Sequence, residues 1–223
     1  MTLADLRVFY LHGFGSGPSS RKAQFFSEKL QGLGIRIEIP DLNEGDFPHL
    51  TLTRQLHQLE NLLARQPAVL IGSSLGGYLA ALYASLHAEV ARLLLLAPAF
   101  DFCTLWTRQL GAERVEQWRA RGTMLVFNYA AGAEMPLHFE FLKDARAYPP
   151  YPDFVQPALI VHGEHDPTVP IAHSIHFQAG HPARRLLRLN SGHELTDALD
   201  KIWAEAQSFL FPGVLQAVLN LKA

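Results

Sequence analysis

Ser74, Asp166 and His193 are the residues of this chain whose types and settings could do chemistry together. Ser74 is the centre of Gly72-Ser73-Ser74-Leu75-Gly76, a G-x-S-x-G pentapeptide that follows the apolar run Ala68-Val69-Leu70-Ile71 and opens a helix-like stretch from Gly77 to Leu82. Strand, tight turn and helix in that order hold a serine in a strained conformation at the carboxyl end of a buried strand, and the flanking glycines keep Cβ atoms out of the crowded turn. By itself the pentapeptide is a weak signal. With Gly and Ser each near 7 % of residues, chance puts one in about one chain in fifteen of this length. A Gly-rich strand-to-helix loop without chemistry is the plain alternative, and the surrounding strand and helix argue against it.

A serine at neutral pH needs a base within hydrogen-bond reach, and the base needs a carboxylate to hold its tautomer and stabilise its cation. Both are found just past strand-like runs. Ala158 to Val161 leads into His162-Gly163-Glu164-His165-Asp166-Pro167-Thr168-Val169-Pro170, a turn with an acid set among prolines. Leu186 to Leu189 leads into Asn190-Ser191-Gly192-His193-Glu194. His193 is the expected base and Asp166 the expected acid, with Glu164 and Asp101 as alternative acids. A reaction run this way proceeds through a covalent intermediate and calls for no cofactor.

The elements that must position these residues alternate along the chain. Val8 to Leu11, Ile35 to Ile39, Ala68 to Ile71, Arg92 to Leu96, Ala158 to Val161 and Leu186 to Leu189 read as strands. Ser20 to Leu33, Leu50 to Arg65, Leu75 to Leu86, Ile171 to Ala179 and Glu194 to Leu210 read as helices, the last with Leu199, Ile202, Trp203, Ala206, Phe209 and Leu210 at helical spacing. Short, nearly all-apolar strands between helices predict a mostly parallel α/β sheet with helices on both faces, whose ligands bind beyond the carboxyl ends of the strands. The alternation stops between Asp101 and Phe154. From Phe100 to Phe154, 55 residues hold 11 of the 23 Phe, Trp and Tyr side chains, where even scattering would put about 6. Such a segment is either an apolar lid over a pocket, with Phe14, Trp106, Phe127 and Tyr129 as candidate lining residues, or a satellite core that holds the excursion down.

The order serine, acid, histidine, each after a strand, is that of the α/β-hydrolases. The chain resembles that superfamily, and within it the small bacterial YqiA-like serine esterases. The resemblance lies in Tyr10-Leu11-His12-Gly13-Phe14, in Ile71-Gly72-Ser73-Ser74-Leu75-Gly76-Gly77-Tyr78, in His162-Gly163 through Pro170 and in Gly192-His193. It implies an α/β-hydrolase three-layer sandwich over a single domain, 1–223, with a small aromatic-rich cap insertion at about 101–154. It favours Asp166 over the other acids, because the loop around it matches. It also implies an oxyanion site formed by the backbone N–H groups of Phe14 and Leu75, with His12 as a buried brace of its loop. The implied activity is cleavage of small carboxylic esters through an acyl-enzyme. Other acyl hydrolases, thioesterases among them, and non-catalytic scaffolds that bind a small ligand or a protein also use this fold.

Composition narrows the field further. The chain has 223 residues, 48 % hydrophobic and 18 % charged, with a formal net charge of −2, which is the profile of an ordinary soluble domain. No basic cluster marks a nucleic-acid surface. The single cysteine, Cys103, excludes an intramolecular disulfide framework and a cysteine zinc cluster, and suits a reducing cytoplasm. Met1 to Leu6 lacks the basic and apolar parts of a secretion signal, and no apolar run approaches the roughly 20 residues of a membrane span. Gly13-Phe14-Gly15-Ser16-Gly17-Pro18 fails both nucleotide-binding spacings: Pro18 stands where a dinucleotide fingerprint needs Gly, and Ala23 follows Arg21-Lys22 where a phosphate loop needs Ser or Thr. His162, His165 and Asp166, or His173 and His176, match no zinc spacing, so no metal is expected. The expected partner is a small acyl ester. The terminal pairs Val214-Leu215 and Val218-Leu219 could cover the sheet or a second subunit, which leaves the oligomeric state open.

Overall fold

A computed structural model describes residues 7–212. Met1 to Leu6 and the Val214-Leu215 and Val218-Leu219 pairs lie outside the described residues. Six strands form one sheet: β1 (Arg7–Leu11), β2 (Ile37–Glu38), β3 (Ala68–Ser73), β4 (Val90–Leu96), β7 (Ala158–Gly163) and β8 (Arg184–Leu189). Their order across the sheet is β2-β1-β3-β4-β7-β8, and every neighbouring pair is parallel. β3 and β7 are buried along their whole length, as their unbroken apolar text requires of central parallel strands.

Alternation within each strand divides the core in two. Phe9, Leu11, Leu70, Leu93, Leu95, Ala158 and Ile160 face α2 (Leu52–Leu63) and α3 (Leu75–Leu86). Val8, Tyr10, Val69, Ile71, Leu94, Leu96, Leu159 and Val161 face α1 (Arg21–Gln31) and α8 (Leu199–Leu210). Helices therefore cover both faces. This is the α/β-hydrolase architecture.

Several elements are shorter than their sequence suggests, β2 and the last helix among them. Ile35 to Ile39 pairs only through Ile37 and Glu38, beside β1 at one edge of the sheet. The last helix starts at Leu199 and not at Glu194: Leu195 takes a left-handed φ of 56°, and the Ser191 hydroxyl donates to Asp197 at 2.5 Å, closing residues 191–197 into a turn.

Between β4 and β7 the chain leaves the sheet for α4 (Phe102–Leu110), α5 (Ala112–Arg121), β5 (Thr123–Asn128), β6 (Ala133–His138) and α6 (Glu140–Ala145). β5 and β6 form a separate antiparallel hairpin, with Pro136 opposite Leu125. The β-branched and aromatic text of Thr123 to Asn128, a Gly-containing turn, and Pro136 confined to an edge strand are signals that the sequence reading passed over. Three ties fasten the excursion to the core: Asp144 accepts from both the N–H and the hydroxyl of Thr53, Tyr78 donates to Pro149 O at 2.8 Å, and His138 stacks on His49. α7 (Ala172–Gln178) lies between β7 and β8 in the chain and completes the helices.

Candidate active site

Ser74 stands between β3 and α3 with φ 54° and ψ −118°, a conformation that costs a non-glycine residue about 1 to 3 kcal/mol. The surroundings hold it there. Ser74 N–H donates to Leu96 O at 2.9 Å, and its carbonyl accepts from the N–H groups of Gly77, Tyr78 and Ala99. A methyl group at Gly72 would run into Gly76 O, and one at Gly76 into Leu11 O. Two of the glycines around Ser74 are thus required by backbone approaching backbone, which places the turn against the end of β1.

Asp166 and His193 arrive from the ends of β7 and β8. Gly163 lets those ends meet, since a methyl there would strike Ser191 O. Glu164 N–H donates to Leu189 O at 2.8 Å and His165 N–H to Ser191 O at 3.1 Å, lacing the two loops together. Nδ1 of His193 lies 2.7 Å from Asp166 Oδ2, and its Nε2 lies 3.0 Å from Ser74 Oγ. A carboxylate only accepts, so Nδ1 carries the hydrogen and Nε2 is left to accept from the serine hydroxyl. The side chain of Asp166 is fully buried. Burial alone would raise its pKa, but donors from His162, His193 and the Val169 N–H outweigh it and hold the carboxyl well below the usual carboxylate range. The alternative acids stand elsewhere: Glu164 pairs with Arg188 at 2.8 Å, and Asp101 precedes α4.

His12 is buried beneath the loop that follows β1. Its Nε2 accepts from Leu42 N–H and its Nδ1 donates to Gly13 O, both at 2.9 Å, so the ring is neutral, and burial pushes its pKa down. That brace sets Gly13 against Ser74, where a methyl on Gly13 would sit 3.4 Å from Ser74 Cβ. Neither the Phe14 nor the Leu75 N–H donates to a backbone carbonyl among the described residues.

Residues 7–210 match a family described as an uncharacterised protein family, UPF0227. The chain belongs to that family. No curated protein matches it. Solved structures match its fold: alpha/beta hydrolase domain-containing protein 10 from mouse has a TM-score of 0.76 at 19 % identity over 92 % of this chain and 89 % of that one. Est1E from Butyrivibrio proteoclasticus, with ferulic acid bound, has a TM-score of 0.72 at 19 % identity over 94 % and 89 %. The monoacylglycerol lipase of Paleococcus ferrophilus has a TM-score of 0.72 at 14 % identity over 91 % and 93 %.

Two hollows meet at Ser74 in this UPF0227 chain. One, of about 200 Å³, is walled mainly by Phe14, Phe102, Leu105, Trp106, Phe141 and Val169. The other, of about 410 Å³, runs past Tyr10, Ser16, Lys22, Tyr129, His193 and Glu194. Phe14 and Trp106 line the first, as the sequence suggests, and Tyr129 lines the second. Phe127 lines neither: it is 48 % exposed on β5 and packs edge-on against Tyr129. A β-strand alternates its side chains, and the phase of β5 turns Phe127 outward while Asn128 is buried. Phe102, Leu105 and Phe141 were missed, because their lining role depends on how α4 and α6 pack together. Phe14, Trp106 and Phe141 touch one another with ring centroids 5.4 to 5.8 Å apart, and Trp106 continues to the buried Trp118, whose Nε1 donates to Leu137 O.

Among the described residues, no group of three or more His, Cys, Asp or Glu is arranged to hold a metal ion, and no helix is long and apolar enough to cross a membrane.

Proposed function

We propose that the protein is a serine hydrolase that cleaves small carboxylic esters through an acyl-enzyme. The observation that carries this reading is the unbroken run from Ser74 Oγ through both nitrogens of His193 to the buried carboxylate of Asp166, at 3.0 and 2.7 Å. Nε2 takes the hydroxyl proton as Oγ attacks the acyl carbon, and Asp166 stabilises the imidazolium that forms. The carbonyl oxygen, now negative, sits between the N–H groups of Phe14 and Leu75. His193 then gives the proton to the departing alcohol, and a water deprotonated by the same nitrogen releases the acid. Each oxyanion donor of this kind is worth about 2.7 to 4 kcal/mol in the transition state.

The two hollows support one arrangement of the ester's halves. His193 protonates the leaving alcohol, and His193 borders the larger, more polar cleft but not the smaller apolar cavity. The alcohol therefore occupies the cleft and the acyl group the cavity, under α4 and α6 acting as a cap on a single domain. Its volume of about 200 Å³ lies below the usual range for drug-sized ligands and suits a short or medium chain or one aromatic ring. The esterase and lipase named among the fold matches favour ester chemistry. The absence of a basic surface and the lone Cys103 favour a cytoplasmic enzyme acting on small molecules.

The test is hydrolysis of p-nitrophenyl esters from acetate to long-chain acyl groups by the parent and by Ser74→Ala. Turnover that depends on Ser74, with an optimum at short or medium chains, is expected. Equal rates from both proteins would reject the reading.

A further inference from the structure

The run of polar contacts that starts at Ser74 does not stop at Asp166. Oδ2 of Asp166, which accepts from His193, also lies 3.1 Å from Nε2 of His162. The same Nε2 is 2.8 Å from the carbonyl oxygen of Val169. Both neighbours only accept, so Nε2 carries the hydrogen; it donates to Val169 O and stands beside Oδ2 as the longer, charge-facing contact. On the far side of the ring, Nδ1 is 2.7 Å from Ser174 Oγ, which donates to it. His162 and Ser174 are both at 0 % exposure. The other carboxylate oxygen, Oδ1, accepts from the N–H groups of Thr168 and Val169 at 2.8 and 2.9 Å.

We propose that His162 is a positioning residue for this site: its Nε2–H, oriented by Ser174, aims Asp166 Oδ2 at His193 and moderates how strongly that oxygen holds the His193 ring. The proposal rests on the reading of Ser74, His193 and Asp166 as nucleophile, base and acid. Its physical basis is the sharing of one oxygen. Two backbone donors fix Oδ1, and two imidazoles compete for Oδ2, so the carboxylate has no freedom to rotate. A donor that withdraws electron density from Oδ2 weakens it as an acceptor for the other. Any buried side chain of the right volume could fill the space between β7 and α7, but only one that carries an N–H at this position reaches the oxygen that His193 uses.

The experiment compares the parent with His162→Leu, which removes the donor, and His162→Gln, which keeps an N–H at a similar reach. Two readouts are taken: the NMR resonance of the His193 Nδ1 hydrogen, and kcat on a p-nitrophenyl ester. In His162→Leu the resonance should move downfield, as the bond to Asp166 strengthens, while kcat falls about 10- to 100-fold, the usual cost of an outer partner that orients a reacting group. His162→Gln should recover most of both. A resonance that stays in place in folded His162→Leu, or a loss of kcat that His162→Gln leaves unrepaired, overturns the proposal. If His162→Leu does not fold, Ser174→Ala releases the ring without removing it, and a smaller downfield move is expected; no move overturns the proposal equally. The resonance needs no substrate. Absence of Ser74-dependent turnover in the parent would therefore reject the hydrolase reading separately from the coupling of His162 to His193.

Discussion

The carboxyl edge of the sheet and the excursion between β4 and β7 border the same serine, yet they are built on different physics. At the sheet edge, backbone meets backbone. Gly72, Gly76 and Gly163 each stand where a single methyl would strike a carbonyl oxygen, and main-chain hydrogen bonds lace the loops after β7 and β8. In the excursion, side chain meets side chain. α4 has no fully buried residue, β5 and β6 are half exposed, and the contact with the core runs mainly through aromatic rings, the buried Leu137, Leu142 and Ala145, and a few polar ties. Reacting groups must be held to within about half an ångström, which close-packed backbone provides. A wall that selects a substrate needs only shape and apolarity, which many side-chain combinations supply. The first region should therefore tolerate fewer substitutions than the second, where one ring can stand in for another.

The contrast can be broken most directly at Ser74. If the edge carries the chemistry, Ser74→Ala lowers kcat at least ~10⁴-fold in initial-rate assays while circular dichroism and melting remain those of the parent. Next comes the edge itself. Gly76→Ala forces a methyl onto Leu11 O and should cost more than about 3 kcal/mol in urea unfolding, or prevent folding, because neither backbone has room to retreat.

The excursion should respond in specificity more than in rate. Trp106→Ala enlarges the apolar cavity, and the acyl-chain optimum of kcat/KM should move to longer chains, with about a tenfold gain for a long chain over acetate. Phe127→Ala, outside both hollows, should shift that ratio less than about threefold. If the two variants behaved alike, the side-chain wall described here would be wrong.

Smaller effects sharpen the comparison through protonation. Asp166 has its pKa depressed in the folded protein, so its contribution to stability is complete above the ordinary carboxylate value near 4 and is lost as pH falls toward the folded value. The difference in unfolding free energy between the parent and Asp166→Asn should shrink as pH falls below about 4, as urea unfolding at a series of pH values would show. In the excursion, burial pushes the Cys103 thiol up to about 11. At pH 8 it should react with iodoacetamide at least about tenfold more slowly than in the unfolded chain, as mass spectrometry over time would record.

Much of the site was legible along the chain, for a local reason. Ser74 sits in a motif whose glycines are needed within five residues, and the structure has a left-handed serine there with Gly76 pressed against β1. The order of strands and helices was legible from apolar runs, with errors at edges: β2 pairs at two residues only, and α8 yields its first turn to the Ser191–Asp197 bond. The β5–β6 hairpin was not, because its half-exposed strands lack the all-apolar text of the central sheet and its aromatics drew attention to a lid. Phe127 shows the same limit. An aromatic residue announces apolarity, while the phase of its strand decides whether it faces a cavity or solvent.

By itself the sequence determined the parallel α/β alternation, the turn that strains Ser74, and the presence of an acid and a histidine just past later strands. These follow from backbone sterics and hydrophobic burial, both of which act over a few residues. Only the tertiary structure decided that Asp166, and neither Glu164 nor Asp101, meets His193, that His162 shares its oxygen, and that Phe102, Leu105 and Phe141 join Phe14 around one hollow. Those outcomes depend on the register of β7 against β8 and on the packing of α4 and α6 over the sheet. Contacts between residues 119 apart, such as Ser74 and His193, are set by the whole sheet and leave no local mark.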